Sequence, residues 1–170
     1  RAFERRGMEI MSESRAFAAR RDGDGVVVSL EDGREVRGSH CLMAVGAIPN
    51  SAGLGLEEVG VALTPSGHIT VDRVSRTSVR NIYAAGDITG VFALASVAAM
   101  QGRIAMWHAL GDAVTPLDLR RVSSNVFTTP EIATVGITQE QADTGDVRVA
   151  SVLLPLASNA RSKMQGFTDG

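Results

Sequence analysis

The sequence is poor in several features that mark particular classes of protein. Its 170 residues include a single cysteine, so no disulfide can form within the chain, and only 4% are aromatic. The longest nearly apolar run, GVFALASVAAM, is shorter than the roughly 20 residues that a membrane-spanning helix needs. The net charge is only −2 and the basic residues are scattered, which argues against a nucleic-acid-binding surface. We expect no transmembrane segment and no nucleic-acid partner.

The rest of the composition is that of an ordinary globular protein. Hydrophobic residues make up 44% and charged residues 21% of the chain, which is long enough to bury a core. The single cysteine is compatible with a reducing compartment, and we expect a cytoplasmic location. The chain begins RAFERRGMEI, without an initiator methionine or the apolar region of a signal peptide, so we expect a fragment of a longer protein.

The first region, residues 1–48, reads as strands separated by turn residues. Asp-Gly pairs surround the mostly apolar segment Val26 to Leu30 and tolerate the positive φ of tight turns, which predicts a small antiparallel meander. The apolar run Cys41 to Val45 is too short for a helix and predicts a buried strand that ends at Gly46. Within that run, Cys41 is interpreted as a small buried hydrophobic residue rather than a redox centre.

The second region, residues 49–116, is predicted to begin with a loop and a short helix at GLGLEEVGV, residues 53–61. A half-buried strand follows, because apolar residues alternate through Ile69, Val71 and Val74.

A long helix is the main predicted element of the second region. It follows a buried strand at residues 82–85 and runs from Ala93 to Leu110, with apolar side chains at helical spacing and small residues on most other faces. A helix that is apolar on nearly every side lies inside a protein, so Met100 and Trp107 are interpreted as core residues.

The third region, residues 117–170, combines strand patterns with a short helix. Strands are indicated at residues 122–127, 132–135 and 147–154. Thr138 is a suitable N-cap for the helix. The chain ends on Asp169-Gly170, which predicts a hairpin turn without a return strand, so we expect this domain to be cut off in mid-sheet.

The stretch NIYAAGDITG places one carboxylate, Asp87, after an apolar strand and next to Gly86. In open sheets flanked by helices, ligands bind beyond the carboxyl ends of the strands, and Gly86 lets the backbone come close to a ligand. A carboxylate there can accept hydrogen bonds from sugar or polyol hydroxyls. The alternative is that Gly-Asp only forms a turn, and the pair considered alone favours that alternative.

The helix that follows Asp87 offers a second feature of a ligand site. Its first side chains are too small to block the approach of a ligand, and the free N–H groups of a helix start carry a partial positive charge that suits an electron-rich oxygen. Asp87 and this helix start could hold two parts of one long cofactor. The alternative is a plain buried helix whose alanines serve packing.

Three motifs follow one another along the chain: LMAVGAIPN, then RTSVRNIYAAGDITG with LASVAAMQGR, then VFTTPEIATVG. They resemble motifs of the FAD-dependent pyridine nucleotide–disulfide oxidoreductase family. The first is similar to the segment that closes the NAD(P)H domain, the second to the I-Y-A-x-G-D motif and flavin-facing helix, and the third to the start of the dimerisation domain. They occur in the family's order and cover nearly the whole chain.

This resemblance implies an α/β fold that contains parts of two Rossmann-like domains, for FAD and NAD(P), and the start of an α+β dimerisation domain. Residues 1–48 would be the end of the NAD(P)H-binding domain. Residues 49–116 would be the returning segment of the FAD-binding domain, and residues 117–170 the first part of the dimerisation domain.

The resemblance also implies which residues hold the cofactors. Asp87 would bind the FAD ribityl chain, the backbone at the helix start would meet the flavin pyrimidine edge, and Gly46 would lie beside the nicotinamide nucleotide. The implied cofactor-binding residues are Gly46, Gly86, Asp87, Ala93, Leu94, Ala95 and Ser96.

The implied activity is the passage of hydride from NAD(P)H through FAD to an acceptor, in a homodimer. The chain is most similar to an actinobacterial NAD(P)H:quinone reductase branch, so a quinone is the preferred acceptor. Ala47 replaces an arginine usual in the family, and Ser96 a histidine of lipoamide dehydrogenases, which weakens assignment to that enzyme. A dithiol–disulfide reductase such as dihydrolipoamide dehydrogenase is the enzymatic alternative. A non-catalytic interaction module that keeps the fold is the alternative of another class.

Parts of the family's machinery are missing from the sequence. GDGVVV and GLGLEE each lack the last glycine of the G-x-G-x-x-G phosphate-binding loop, and the C-x-x-x-x-C redox pair and the His-Glu acid–base pair are absent. The catalytic residues are therefore unknown, and the 170 residues alone are expected to be inactive. His40, His68 and His108 share no ligand spacing, so no metal site is expected.

Overall fold

The computed structural model describes residues 1–145, 149–167 and 170, and it divides the chain into two units, Arg1–Gly46 and Ala47–Gly170. The first unit contains three strands: β1 (Ala16–Asp22), β2 (Gly25–Leu30) and β3 (Glu35–Gly38). The second contains helix α1 (Ala95–Ala109), strands β4 (Ser123–Val126) and β5 (Ile132–Val135), and helices α2 (Gln139–Thr144) and α3 (Ala160–Gln165).

The first unit is an antiparallel sheet in the order β1-β2-β3, which confirms the predicted meander. Asp22 at the end of β1 pairs with Gly25 at the start of β2, and Gly23 between them has a φ of +61°. β2 carries the buried side chains Val27 and Leu30, whereas every residue of β1 and β3 is exposed. The Asp-Gly turn therefore sets the register in which β1 and β2 pair.

The buried strand predicted at Cys41 to Val45 is wrong. These residues have no regular secondary structure, and all five are exposed. A strand is stable when neighbouring strands satisfy its backbone N–H and C=O groups, and no described residue pairs with this segment. Cys41 is therefore an exposed thiol rather than a small buried hydrophobic residue.

The short helix predicted at residues 53–61 is also wrong. Gly53, Gly55 and Gly60 all have positive φ, and the segment forms consecutive turns closed by backbone hydrogen bonds. Glycine reaches this backbone region without steric cost but loses much conformational freedom in a helix, so the three glycines favour turns.

The two strands predicted in the second region reduce to isolated bridges. Ile69 is buried and forms one bridge, but the Asp72 carboxylate then accepts hydrogen bonds from two following backbone N–H groups and turns the chain. At residues 82–85 only Tyr83 forms a bridge, to Arg76. Both strand predictions were therefore wrong.

Helix α1 confirms the predicted long helix but not its burial on every side. The buried residues form one stripe, which consists of Val97, Gln101, Ile104 and Ala105. Met100 and Trp107 lie outside the stripe and are 38% and 48% exposed, so their interpretation as core residues was wrong. The helix ends where Gly111 adopts a φ of +89°. Within the described residues, no helix is both long and apolar enough to cross a bilayer.

The third region begins with a hairpin and a capped helix. β4 and β5 pair antiparallel, from Ser123 opposite Val135 to Val126 opposite Ile132, and confirm two of the predicted strands. The predicted N-cap is also confirmed, because the Thr138 hydroxyl accepts a hydrogen bond from the backbone N–H of Gln141.

The predictions for the end of the third region are either wrong or lie partly outside the described residues. Of the strand predicted at residues 147–154, residues 149–154 have no regular structure, whereas residues 147 and 148 lie outside the described part of the chain. The predicted turn at Asp169-Gly170 also lies partly outside it. Helix α3 was not predicted, although Asn159 caps it by accepting a hydrogen bond from the Ser162 N–H.

Candidate functional site

Asp87 sits in a tight turn that begins at Gly86. Gly86 has a φ of +87° and a ψ of −161°, a combination that essentially only glycine adopts. Asp87 to Thr89 then form a single turn of 3-10 helix, which ends at Gly90 with a φ of +65°. A Cβ atom at Gly86 would lie 3.3 Å from the Cβ of Ala98, so helix α1 packs directly against this glycine.

The Asp87 carboxylate is available to a ligand. Asp87 is exposed, and its side chain has no hydrogen bond or ion pair with any residue that the structure describes. A carboxylate that only completed the turn would instead accept a hydrogen bond from a nearby backbone N–H, as the Asp72 side chain does. Backbone hydrogen bonds, such as the one from the Gly90 N–H to the Asp87 carbonyl, hold the turn, and they leave the two carboxylate oxygens of Asp87 free.

Helix α1 begins with open N–H groups. Its N-cap residue is Leu94, an extended residue whose side chain cannot cap, and no acceptor among the described residues binds the N–H groups of Ala95 and Ser96. Ala93, Ala95 and Ser96 are exposed and small, whereas Leu94 is half-buried. The helix start therefore presents unpaired donors and a partial positive charge behind side chains that do not block access.

A buried side chain joins the Asp87 turn to helix α1. Gln101, on the buried stripe of the helix, accepts a hydrogen bond at 2.8 Å from the backbone N–H of Gly86 through its Oε1. Its Nε2 donates to the Thr89 hydroxyl at 3.3 Å, and that hydroxyl donates to the Gly86 carbonyl at 2.7 Å. The two ends of the turn are thus tied to one residue of the helix.

Gly46 is the one predicted site residue in the other unit. It is the last residue of the first unit, is exposed, and has a φ of +106°. A Cβ atom there would meet nothing within 4 Å, so the positive φ, not crowding, favours glycine. The remaining predicted residues, Gly86, Asp87 and Ala93 to Ser96, lie on one continuous segment that leads into α1.

Sequence reasoning missed Gln101 and Thr89. Gln101 was visible as a polar residue in helical register with Val97 and Ile104, on what became the buried stripe. A polar side chain on a buried face needs a hydrogen-bonding partner, and that requirement could have singled it out. Its partners lie 12 and 15 residues earlier in the chain, so their identity could not be read from local spacing.

The described residues contain no group of three or more His, Cys, Asp or Glu side chains that could hold a metal ion. The Nδ1 atom of His108 lies 2.7 Å from the hydroxyl of Tyr83, within hydrogen-bonding distance. The glycine pairs GDG and GLG lie in a turn between two strands and in irregular turns, not between a strand and a helix.

An open carboxylate beside an uncapped helix start fits a ligand that carries both hydroxyls and an electron-rich group, as nucleotide cofactors do.

The family of the chain is defined by its similarity to known proteins. Residues 1–102 match the model of the pyridine nucleotide-disulphide oxidoreductase family, and residues 122–170 match that family's dimerisation domain. The chain belongs to the pyridine nucleotide-disulphide oxidoreductase family.

Individual relatives agree with this assignment. An NAD(P)H dehydrogenase (quinone) of Mycobacterium tuberculosis is 53% identical over 169 residues, which are 99% of this chain and 34% of that protein. A dihydrolipoyl dehydrogenase of Geobacillus stearothermophilus is 35% identical, over 99% of this chain and 36% of that protein. The crystal structure of LpdA from M. tuberculosis superposes with a TM-score of 0.91 at 53% identity, and covers 98% of this chain and 36% of that one.

These matches confirm the predicted family and the α/β class of its fold, including the start of a dimerisation domain. The chain spans about a third of the length of the curated relatives that it matches. The domain boundaries and the assignment of the site residues to FAD and NAD(P)H stay predictions.

Proposed function

We propose that the full-length protein to which this chain belongs is an FAD-dependent oxidoreductase. It passes hydride from NAD(P)H through the flavin to an acceptor. The observation that carries this proposal is the free Asp87 carboxylate. It lies in a turn that begins with a backbone conformation essentially only glycine adopts, next to the open start of helix α1. A turn that served only to change chain direction would not need an unpaired carboxylate next to unpaired helix donors.

The residues of this chain fit one part of FAD. Asp87 would accept hydrogen bonds from the ribityl hydroxyls, and the backbone at residues 93–96 would meet the pyrimidine edge of the flavin. When bound, the flavin supplies two-electron redox chemistry that side chains cannot provide. Donors at a helix start stabilise negative charge, so the N–H groups of Ala95 and Ser96 would favour the reduced form.

The preferred acceptor is a quinone. The 53% identical relative is named an NAD(P)H dehydrogenase (quinone), whereas relatives named dihydrolipoyl dehydrogenase are about 35% identical. Ala47 and Ser96, which depart from the residues expected in lipoamide dehydrogenases, support the same choice. A dithiol–disulfide reductase is the second candidate, and its support is the similarity to dihydrolipoyl dehydrogenases.

We further propose that the protein is a cytoplasmic homodimer, with Gly46 beside the nicotinamide nucleotide. The match of residues 122–170 to a dimerisation domain supports the dimer. The single cysteine, which is compatible with a reducing compartment, supports the location. A non-catalytic module that kept the fold but lost the cofactor is the remaining alternative, and it differs from the proposal in binding no flavin.

The proposal is tested on the purified full-length protein. We expect visible flavin absorption, consumption of NAD(P)H with a soluble quinone, and little turnover with lipoamide. The 170 residues alone should be colourless, since the diphosphate-binding glycine loop is not among them. A flavin-free full-length protein would contradict the proposal, and faster turnover with lipoamide than with quinone would favour the second candidate.

Two matched variants test the role of Asp87 in the same protein. Asp87→Asn keeps the shape of the side chain but removes its charge, and we expect FAD to bind about tenfold more weakly or worse. Asp112→Asn makes the same change at an exposed position after helix α1 and should leave FAD affinity unchanged. Equal affinity in both variants would exclude Asp87 as a flavin ligand.

A further inference from the structure

One buried amide connects the two parts of the candidate site. Gln101 is only 2% exposed, and its carbonyl and amino groups each have a partner in the turn that carries Asp87. Thr89 is 6% exposed and its hydroxyl closes the network on the Gly86 carbonyl. The same glutamine lies on helix α1, less than two turns from the open helix start at Ala95.

This network fixes where the Asp87 turn lies on the helix. The Gly86 backbone does not belong to a strand ladder, and the Gln101 carbonyl is the acceptor for its N–H. Without Gln101 that buried donor would have no partner, and the turn would move until water or another group satisfied it. Any such movement changes the distance between the Asp87 carboxylate and the N–H groups at the start of α1.

We propose that Gln101 is a positioning residue for the flavin cofactor. By binding Gly86 and Thr89 at once, it holds the Asp87 carboxylate and the α1 N–H groups at the separation that one bound FAD molecule requires. This inference rests on the proposed function, because it assigns the two groups to one cofactor. Gln101 itself touches no cofactor in this proposal and acts only through the turn.

A purely structural role would produce a different result from a positioning role. Thr77 supplies the comparison, because it is also 6% exposed and its hydroxyl is hydrogen-bonded to backbone groups of Val79 and Ile82. It has no hydrogen bond with Gln101 or with the Asp87 turn. Thr77→Val and Thr89→Val therefore make the same chemical change in equally buried networks, only one of which holds the proposed site.

The experiment uses the full-length protein, stripped of flavin and titrated with FAD. We measure the FAD dissociation constant, the flavin reduction potential, and the thermal midpoint of the flavin-free protein. Gln101→Met, which keeps the length of the side chain but removes both polar groups, should weaken FAD binding about tenfold and shift the potential. Thr89→Val should change both quantities in the same direction, and Thr89→Ser, which restores the hydroxyl, should return them toward wild type.

Thr77→Val should lower the thermal midpoint while leaving the dissociation constant and the potential at their wild-type values. The inference is overturned if Gln101→Met binds FAD as tightly as wild type, or if Thr77→Val weakens FAD binding as much as Thr89→Val does. If Gln101→Met does not fold, the Thr89→Val and Thr89→Ser pair decides the question. Wild-type protein that binds no FAD would instead overturn the proposed function.

Discussion

Gly86 determines where Asp87 can be, because the backbone reaches Asp87 through a conformation that other residues rarely adopt. The φ of +87° turns the chain sharply at the end of the apolar segment, where a Cβ atom on residue 86 would lie only 3.3 Å from the Cβ of Ala98 on helix α1. The glycine therefore has two roles in the candidate site. It permits the turn, and it leaves room for the helix.

We predict that Gly86→Ala lowers both stability and FAD affinity of the full-length protein. The added methyl group forces a disfavoured backbone conformation, which costs about 1–3 kcal/mol, and it presses on the Cβ of Ala98. Gly102→Ala is the matched control, because a Cβ there meets nothing within 4 Å in helix α1, where alanine is favoured by about 0.5–1 kcal/mol. Denaturant unfolding should show changes of opposite sign, and destabilisation by both variants would contradict the prediction.

The residues of the site were predictable from the sequence to different degrees. Asp87 and Gly86 could be identified because their motif is local and belongs to a recognisable family. Gln101 could not, since its function depends on contacts with residues 12 and 15 positions away that only the folded helix creates. Its burial could be inferred from helical spacing, but its partners could not.

At the scale of elements, the turn between β2 and β3 depends on one carboxylate. Asp32 accepts hydrogen bonds from the backbone N–H and the guanidinium of Arg34 and from the Ser14 hydroxyl. These donors, above all the Arg34 side chain, hold the pKa of Asp32 well below its usual range. The carboxylate thus stays ionised and ordered through the ordinary pH range.

We predict that this turn loses a stabilising contribution in acid. A carboxyl whose pKa is lower in the folded state stabilises the fold above its unfolded pKa of about 3.9, and the contribution disappears as the pH falls through the folded value. Asp32→Asn should therefore lower the thermal midpoint of the full-length protein at pH 7. The difference from wild type should shrink below about pH 4. A difference that stays constant as the pH falls would contradict the role of ionisation.

Elements were predictable where their stability is local. The Asp-Gly turn residues encode the β1–β2 hairpin, and the Thr138 cap marks the start of helix α2. Helix α1 was predictable because a long run of apolar residues at helical spacing and small residues forms it. The strand predicted at Cys41 to Val45 failed because a strand depends on neighbours that supply hydrogen bonds, and the described residues provide none for it. The hydrophobic pattern indicates which residues are favoured in a core, but it does not show whether neighbouring elements are present to cover them.

At the scale of the whole molecule, many large apolar side chains are exposed. Phe127, Leu153 and Ile48 are 83%, 91% and 90% exposed, respectively. Scattered exposed apolar residues are normal, but side chains of this size exposed in such number are typical of surfaces that contact other parts of a protein or another subunit. Phe127 and Leu153 lie within residues 122–170, whose match to a dimerisation domain agrees with such a surface.

We predict that the full-length protein is a homodimer at micromolar concentration. Association would cover apolar side chains of the dimerisation domain, and the free energy would fall in proportion to the apolar area removed from water. Sedimentation equilibrium measures the mass directly and should give twice that of the polypeptide. A monomer over the whole concentration range would contradict the prediction, whether or not the protein binds flavin.

Helix α1 also has an optical consequence. It carries Trp107, the only tryptophan of the 170 residues, on the same element as the open start at Ser96. Trp107 follows Ser96 by eleven positions, and at about 1.5 Å per residue their backbones lie roughly 16 Å apart along the helix axis. Flavins absorb at the wavelengths at which indole emits, and a separation of this size permits efficient energy transfer. The helix that presents its N–H groups to the proposed cofactor thus also carries a fluorescent donor, and we expect bound flavin to quench its emission in the full-length protein.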